Sequence, residues 1–148
     1  MIISAETLSK SAEEFLKLYP EGGVFGLRGP LGVGKTTWVK ALVKVLSQRT
    51  PGLESPRVVS PSFVIHQTYE TKPRVEHFDF YRLELRTPES LIEIGFWEAV
   101  ERAQAEKGYV FVEWPDKAEL KLLPLTAEVQ LSFLEASHQR EFKIRVLP

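Results

Sequence analysis

The segment GPLGVGKTT, residues 29–37, constrains the fold more than any other stretch of this chain. From Gly29 to Thr36 it fits the pattern G-x-x-x-x-G-K-[ST]. Each residue type has a physical reason to be there. Glycines let backbone N–H groups crowd around phosphate oxygens without Cβ clashes. A helix that starts next points its positive end at the same anion. Lys35 adds a mobile cation for β- and γ-phosphates, and the Thr36 hydroxyl has the reach to ligate Mg²⁺. Gly32, Val33, Gly34, Lys35, Thr36 and Thr37 are therefore the candidate nucleotide-binding residues. Such a loop needs a strand before it and a helix after it. Val24 to Leu27 reads as a short buried strand, and residues 36–47 (TTWVKALVKVLS) are apolar on most faces, as a well-buried helix is.

The remaining chain supplies a sheet for that unit. Residues 1–3 read as an edge strand. Leu8, Ala12, Phe15, Leu16 and Tyr19 recur at helical spacing, and Ser11 with Glu14 fits a capping box, which would move the helix start later. Pro20, Gly22 and Gly23 end that helix. The proline- and serine-rich stretch from Arg49 to Pro61 reads as a long loop. Phe63 to Glu70 and Arg74 to Tyr81 read as strands joined by a turn at Thr71–Pro73. Pro88 to Ala105 is helical, with a break at Gly95. Tyr109 to Trp114 is a compact strand. Val129, Leu131 and Phe133 alternate with polar residues, and Phe142, Ile144 and Val146 answer them, the pattern of an antiparallel hairpin with one polar face. The expected architecture is a single α/β domain over residues 1–148. It is a P-loop NTPase-like sheet of mixed direction, flanked by helices and ended by the antiparallel hairpin.

A triphosphatase of this kind needs an acid near Mg²⁺ and a group that orients the attacking water. In YVFVEWP, four apolar residues lead to Glu113, a carboxylate at the C-terminal tip of a buried strand, where open α/β sheets bind ligands. In VEHFDFYRL, a period of two puts His77, Asp79 and Tyr81 on one face and Phe78 and Phe80 on the other. The second face packs into the core. Three polar groups in a row are costly to bury, so the first face looks onto a site or onto water. Lys35, Asp79 and Glu113 are the catalytic candidates, and Thr36, Glu113 and Asp79 the metal candidates. Ser60 and Ser62, in the long loop, have hydroxyls suited to sensing a γ-phosphate as switch loops do. Arg82 is a candidate for neutralising charge on a phosphoryl group. Trp38, Trp97 and Trp114 read as packing residues. His66 and His138 lack metal-ligand spacing.

The formal net charge of −1 argues against a protein that grips nucleic acid mainly through its own phosphate contacts. The absence of cysteine excludes disulfides and thiolate catalysis and suits a reducing compartment. No apolar run reaches membrane-span length, and MIISAETLSK lacks the pattern of a secretory signal. The expected location is cytoplasmic.

Taken in order, GPLGVGKTT, SPSF, HFDFYRLE, VEWP and the alternating hairpin resemble the bacterial TsaE (also called YjeE) family of small P-loop ATPases, over nearly the whole chain. The resemblance implies ATP and Mg²⁺ as cofactors and a required role in making threonylcarbamoyladenosine (t6A) at tRNA position 37. It implies TsaB and TsaD as partners, with tRNA met only through their complex and no membrane involved. The family's switch-like S-P-T falls on Ser60-Pro61-Ser62, and its H-x-D-x-Y-R on His77, Asp79, Tyr81 and Arg82. Its E-W-P falls on Glu113, Trp114 and Pro115. Its N-terminal E-T, near the nucleotide base, falls on Glu6 and Thr7, which adds Thr7 to the nucleotide-binding set. Three positions depart from the family pattern: Pro30 replaces the usual Asp, Val33 the usual Ala and Ser62 the usual Thr.

Three readings remain open on sequence. An accessory ATPase acting on protein partners releases inorganic phosphate. A small-molecule kinase uses the same loop and moves phosphate to an acceptor, with His77, Tyr81 and Arg82 as its pocket. A nucleotide-dependent binding switch turns over negligibly. A GTPase would call for an N/T-K-x-D-type guanine-reading motif, and none is found.

Overall fold

Burial of two parallel strands organises the molecule, and the rest of the sheet grows outward from them. The computed structural model describes residues 1–53, 65–135 and 138–147. In chain order the strands are β1 (Ile2–Ile3), β2 (Gly23–Arg28), β3 (His66–Tyr69), β4 (Val75–Asp79), β5 (Tyr109–Glu113), β6 (Ala127–Phe133) and β7 (Arg140–Val146). The helices are α1 (Leu8–Leu18), α2 (Lys35–Arg49), α3 (Pro88–Glu93) and α4 (Phe96–Ala105). The strands form one seven-stranded sheet in the order β1-β7-β6-β2-β5-β4-β3. β2 pairs in parallel with β5 and β6, and β4 with β5, whereas β3–β4, β6–β7 and β1–β7 are antiparallel. The sheet is thus of mixed direction, with a parallel centre and antiparallel margins.

Each face of the sheet carries its own core. On one side Phe15 of α1 packs edge-on against Phe25 of β2 and Trp38 of α2, with ring centroids 4.8 and 5.0 Å apart. Leu42, Phe111, Leu131 and Phe142 complete this cluster. On the other side Phe78 and Phe80 meet Phe96 of α4, together with Val110, Val112 and Leu91. Burial of each such side chain contributes about 1.5–3 kcal/mol. Helix α2 buries Trp38, Val39, Ala41, Leu42, Val43, Val45 and Leu46, as its nearly all-round apolar sequence requires.

The hairpin register follows the alternation: Val129 faces Ile144 and Leu131 faces Phe142. The break at Gly95 separates α3 from α4, with Gly95 in the left-handed region at φ 72°. One expectation fails. Helix α1 starts at Leu8 after Thr7, not later, because Ser11 does not cap. Its hydroxyl donates to the Leu8 carbonyl at 2.6 Å, a bond made from inside the helix.

A second departure lies on β4. Glu76 shares the Phe78 face and is fully buried. It is satisfied there by His66 Nε2 at 2.6 Å, the Thr68 hydroxyl at 2.6 Å and Arg102 Nε at 3.3 Å. The period-two reading assigned that face to apolar packing and did not single out this acid.

Candidate functional site

The glycine-rich segment leaves the C-terminal end of β2 and enters α2 at Lys35. Gly34, just before the helix, adopts φ 109°, a conformation that a β-carbon disfavours. Gly29, at φ 144°, has no space for one: a Cβ there would lie 2.5 Å from the Leu131 carbonyl oxygen of β6. The loop is therefore pressed against the sheet by its first glycine. Val33 anchors it from the other end, with its side chain buried in the first core.

Lys35 is itself almost buried, at 4% exposure. Its ammonium donates to the carbonyls of Gly29 at 2.7 Å and Pro30 at 3.1 Å. It also lies 4.2 Å from the ring centre of Trp114, within cation–π range. Burial pushes the Lys35 ammonium below the ordinary lysine range, opposed by the charges of Glu113, Asp79 and Asp116. Trp114 holds its place with φ 57°, unusual for a residue with a side chain. It is a platform under the lysine as well as a packing residue.

The two acids meet at the strand tips. β4 and β5 are parallel and in register, so Asp79 sits beside Glu113. The Thr36 hydroxyl donates to Glu113 Oε1 at 2.5 Å, and the same oxygen lies 2.8 Å from His77 Nε2. His77 is fully buried, and its Nδ1 has no hydrogen-bond partner among the described residues. The bond to Glu113 therefore requires the tautomer with the proton on Nε2 when the ring is neutral. Asp79 Oδ1 accepts the Tyr81 N–H at 2.9 Å. Burial pushes the Asp79 carboxyl up, the Tyr81 N–H opposes the rise, and the neighbouring Glu113 charge adds to it. Two buried carboxylates side by side call for a cation between or beside them. Mg²⁺ typically takes one or two carboxylates and completes its shell with phosphate oxygens and water. The Thr36 hydroxyl with Glu113 and Asp79 fits such a shared site. Among the described residues no group of three His, Cys, Asp or Glu is assembled to hold an ion alone.

Beyond the loop, away from the acids, lies a cavity of about 280 Å³. Ile3, Leu8 and Leu131 supply apolar wall, and Gly32, Thr37 and Arg140 line the side toward the loop. Of the expected nucleotide-binding residues, Gly32, Val33, Gly34 and Thr37 reach this cavity, while Lys35 bonds back to the Gly29 and Pro30 carbonyls and Thr36 turns to Glu113. Thr7 does not line it. Its hydroxyl accepts the Ser4 N–H at 2.8 Å in the turn before α1. Tyr81 is exposed and meets Trp114 with ring centroids 5.0 Å apart and the planes tilted by 46°. Arg82 is exposed and makes no ion pair among the described residues. Ser60 and Ser62 lie outside the described residues. Sequence reasoning did not find Arg140: its only signal was a position opposite Phe133 in the hairpin alternation.

A family model described as "Threonylcarbamoyl adenosine biosynthesis protein TsaE" matches residues 2–142. Proteins described as "tRNA threonylcarbamoyladenosine biosynthesis protein TsaE" are similar in sequence. That of Rickettsia bellii is 29% identical over 136 residues, covering 90% of this chain and 86% of its own. That of Treponema pallidum is 30% identical over 128 residues, covering 86% and 85%. That of Aquifex aeolicus is 44% identical over 81 residues, covering 54% of this chain and 58% of its own, so that match spans little more than half the relative's length. In structure, the chain resembles "Crystal structure of Bacillus subtilus YdiB" with a TM-score of 0.60 at 21% identity, covering 100% of this chain and 84% of that one, a likeness of fold.

Proposed function

The chain belongs to the TsaE family, and from that premise we propose that it binds and hydrolyses ATP with Mg²⁺ in support of t6A synthesis at tRNA position 37, acting on a complex of TsaB- and TsaD-type proteins. The observation that carries the reading is the meeting of Thr36 with Glu113 at 2.5 Å, next to Asp79 and Lys35. Four groups of the types that phosphoryl transfer uses thus converge at the mouth of one glycine-rich loop. Mg²⁺, held by Thr36 with Glu113 and Asp79, would supply charge neutralisation at the terminal phosphates. Lys35 leaves its carbonyl partners for phosphate oxygens and carries its charge to them. The carboxylates of Glu113 and Asp79 orient water at the strand tips, and His77 fixes the direction of Glu113. The small net charge supports a tRNA contact made through partners.

The test is phosphate release from ATP by the purified protein, alone and then with TsaB, TsaD and tRNA, beside Lys35→Ala. Stimulation by the complex, lost in the variant, is the expected result. Wild-type nucleotide binding and turnover in Lys35→Ala would overturn the assignment of the loop. Transfer of phosphate to an added metabolite, without stimulation, would replace the accessory ATPase by a kinase.

A further inference from the structure

β3 is a four-residue strand at the edge of the sheet, beside β4. The two run antiparallel, with His66 opposite Phe78 and Thr68 opposite Glu76. One residue beyond that register, the Asp79 N–H donates to the Ile65 carbonyl at 3.0 Å. On its other side Asp79 is in register with Glu113, and the next residue, Phe80, donates its N–H to the Glu113 carbonyl at 3.0 Å. The backbone of this acid is thus held between β5 in the interior and β3 at the margin. The marginal rung is the weaker restraint, because Ile65 is exposed and the end of a short edge strand opens readily.

Side chains on the opposite face brace that rung. Glu76 is fully buried, and its two oxygens serve different elements. Oε2 accepts from His66 Nε2 and from the Thr68 hydroxyl, both at 2.6 Å. Oε1 lies 3.3 Å from Arg102 Nε of α4 and 3.9 Å from Arg74 Nη1. The carboxylate is therefore fixed by α4 and offers a fixed acceptor to β3. His66 reaches it diagonally, across the position of Phe78. Its ring lies flat on Phe78, with centroids 4.2 Å apart and planes 2° apart. Phe78 in turn packs against Phe96 in the second core. Thr68 shares the same acceptor but stands two residues further along β3, away from Asp79.

We infer that His66 is a positioning residue for Asp79: its bond to Glu76 fixes the Ile65–Asp79 rung and so sets the Asp79 carboxylate beside Glu113. This rests on the ATPase reading above. A reacting constellation has to be held to within roughly 0.5 Å, so slack in one backbone rung is enough to matter. The acid at the strand tip then depends on a second, buried acid three residues earlier, reached through the edge strand.

The experiment follows amide exchange at Asp79 by NMR, and kcat and KM for ATP hydrolysis, in wild type, His66→Phe, His66→Gln and Thr68→Val. Thermal melting of each variant checks folding. Phenylalanine keeps a ring over Phe78 and removes the donor to Glu76. Glutamine keeps a donor, and valine removes the other donor to the same oxygen. His66→Phe is expected to speed Asp79 exchange and to lower kcat, each by about tenfold, the low end of the range for losing a group behind a metal ligand. KM should move little, and His66→Gln should recover most of both losses. Thr68→Val should melt earlier, yet keep Asp79 exchange and kcat near wild type. If the phenylalanine variant does not fold, His66→Asn, whose amide falls short of Glu76, takes its place. Wild-type exchange or wild-type kcat in the folded variant overturns the proposal. Equal losses in Thr68→Val also overturn it, because the cluster then only stabilises the sheet. Absence of turnover in the wild type, with Asp79 exchange responding as expected, would instead bring down the ATPase reading, and the role of His66 with it.

Discussion

Thr36 and Glu113 are 77 residues apart in sequence, yet the threonine hydroxyl donates to the glutamate carboxylate at 2.5 Å. One belongs to the first turn of α2 and the other to the tip of β5. The parallel pairing of β2 with β5, Leu27 opposite Glu113, brings them together. The contact joins the phosphate end of the site to its acid.

Glu113→Ala should retain ATP binding and lose hydrolysis by roughly 10² or more, the scale for removing one preorganised charge-positioning group. Nucleotide titration together with phosphate release measures the two separately. Hydrolysis at the wild-type rate would remove Glu113 from the mechanism.

His77 acts on the reaction through Glu113, so it is a positioning residue. His77→Ala should lower kcat for ATP hydrolysis by about 10- to 100-fold, the range for losing a group that orients an acid at a metal site. KM should move much less. His77→Gln, whose amide can donate to Glu113, should recover part of kcat. A loss that the glutamine does not relieve would mean that the ring matters only for packing.

Asp79 gives a pH signature. Its folded-state pKa is raised by burial above the ordinary 3.8, so its ionisation costs stability. Asp79→Asn removes that charge and keeps an oxygen for the Tyr81 N–H. The variant should melt above wild type at neutral pH, where the cost is fully present. Its advantage should shrink as pH falls through the raised folded pKa, and vanish below 3.8, where both states of the wild-type acid are protonated. Melting curves from pH 7 to 3 measure this, and equal stability at pH 7 would contradict it.

Glu76 has the opposite sign. Burial pushes its carboxyl up, but hydrogen bonds from His66 and Thr68 and the charges of His66 and Arg102 outweigh that and hold it below 4.5. Its ionised form therefore stabilises the fold above 4.5, and that contribution is lost as pH falls through the lowered folded value. Glu76→Ala removes the acceptor that His66 and Thr68 share and should cost about 1–3 kcal/mol at pH 7, the scale for leaving such hydrogen-bonding groups without their partner. Urea denaturation at pH 7 and at pH 4 reads both effects.

Much of this architecture was legible locally. The strand, loop and helix of residues 23–49, the alternation of β6 and β7 and the acid at the end of YVFVE are short-range patterns with short-range causes. Period and composition dictate which face is buried. The start of α1 was misread because a serine three residues before a glutamate has two uses for its hydroxyl, and only the packed helix selects one. Glu76 escapes a local reading because its partners lie on the paired strand β3 and on α4, so they are fixed by strand register and helix packing rather than by the pattern of β4 itself.

The division between sequence and fold is therefore one of range. Gly29, Gly34, Lys35 and Thr36 were identifiable from the sequence alone, because backbone freedom, charge and hydroxyl chemistry belong to the residues themselves. That Glu113 meets Thr36 and His77, that Trp114 lies under Lys35, and that Arg140 reaches Val33 was decided by strand order and register. Those contacts depend on which strand lies beside which, and pairing between distant segments is set by burial of the whole sheet rather than by any local pattern.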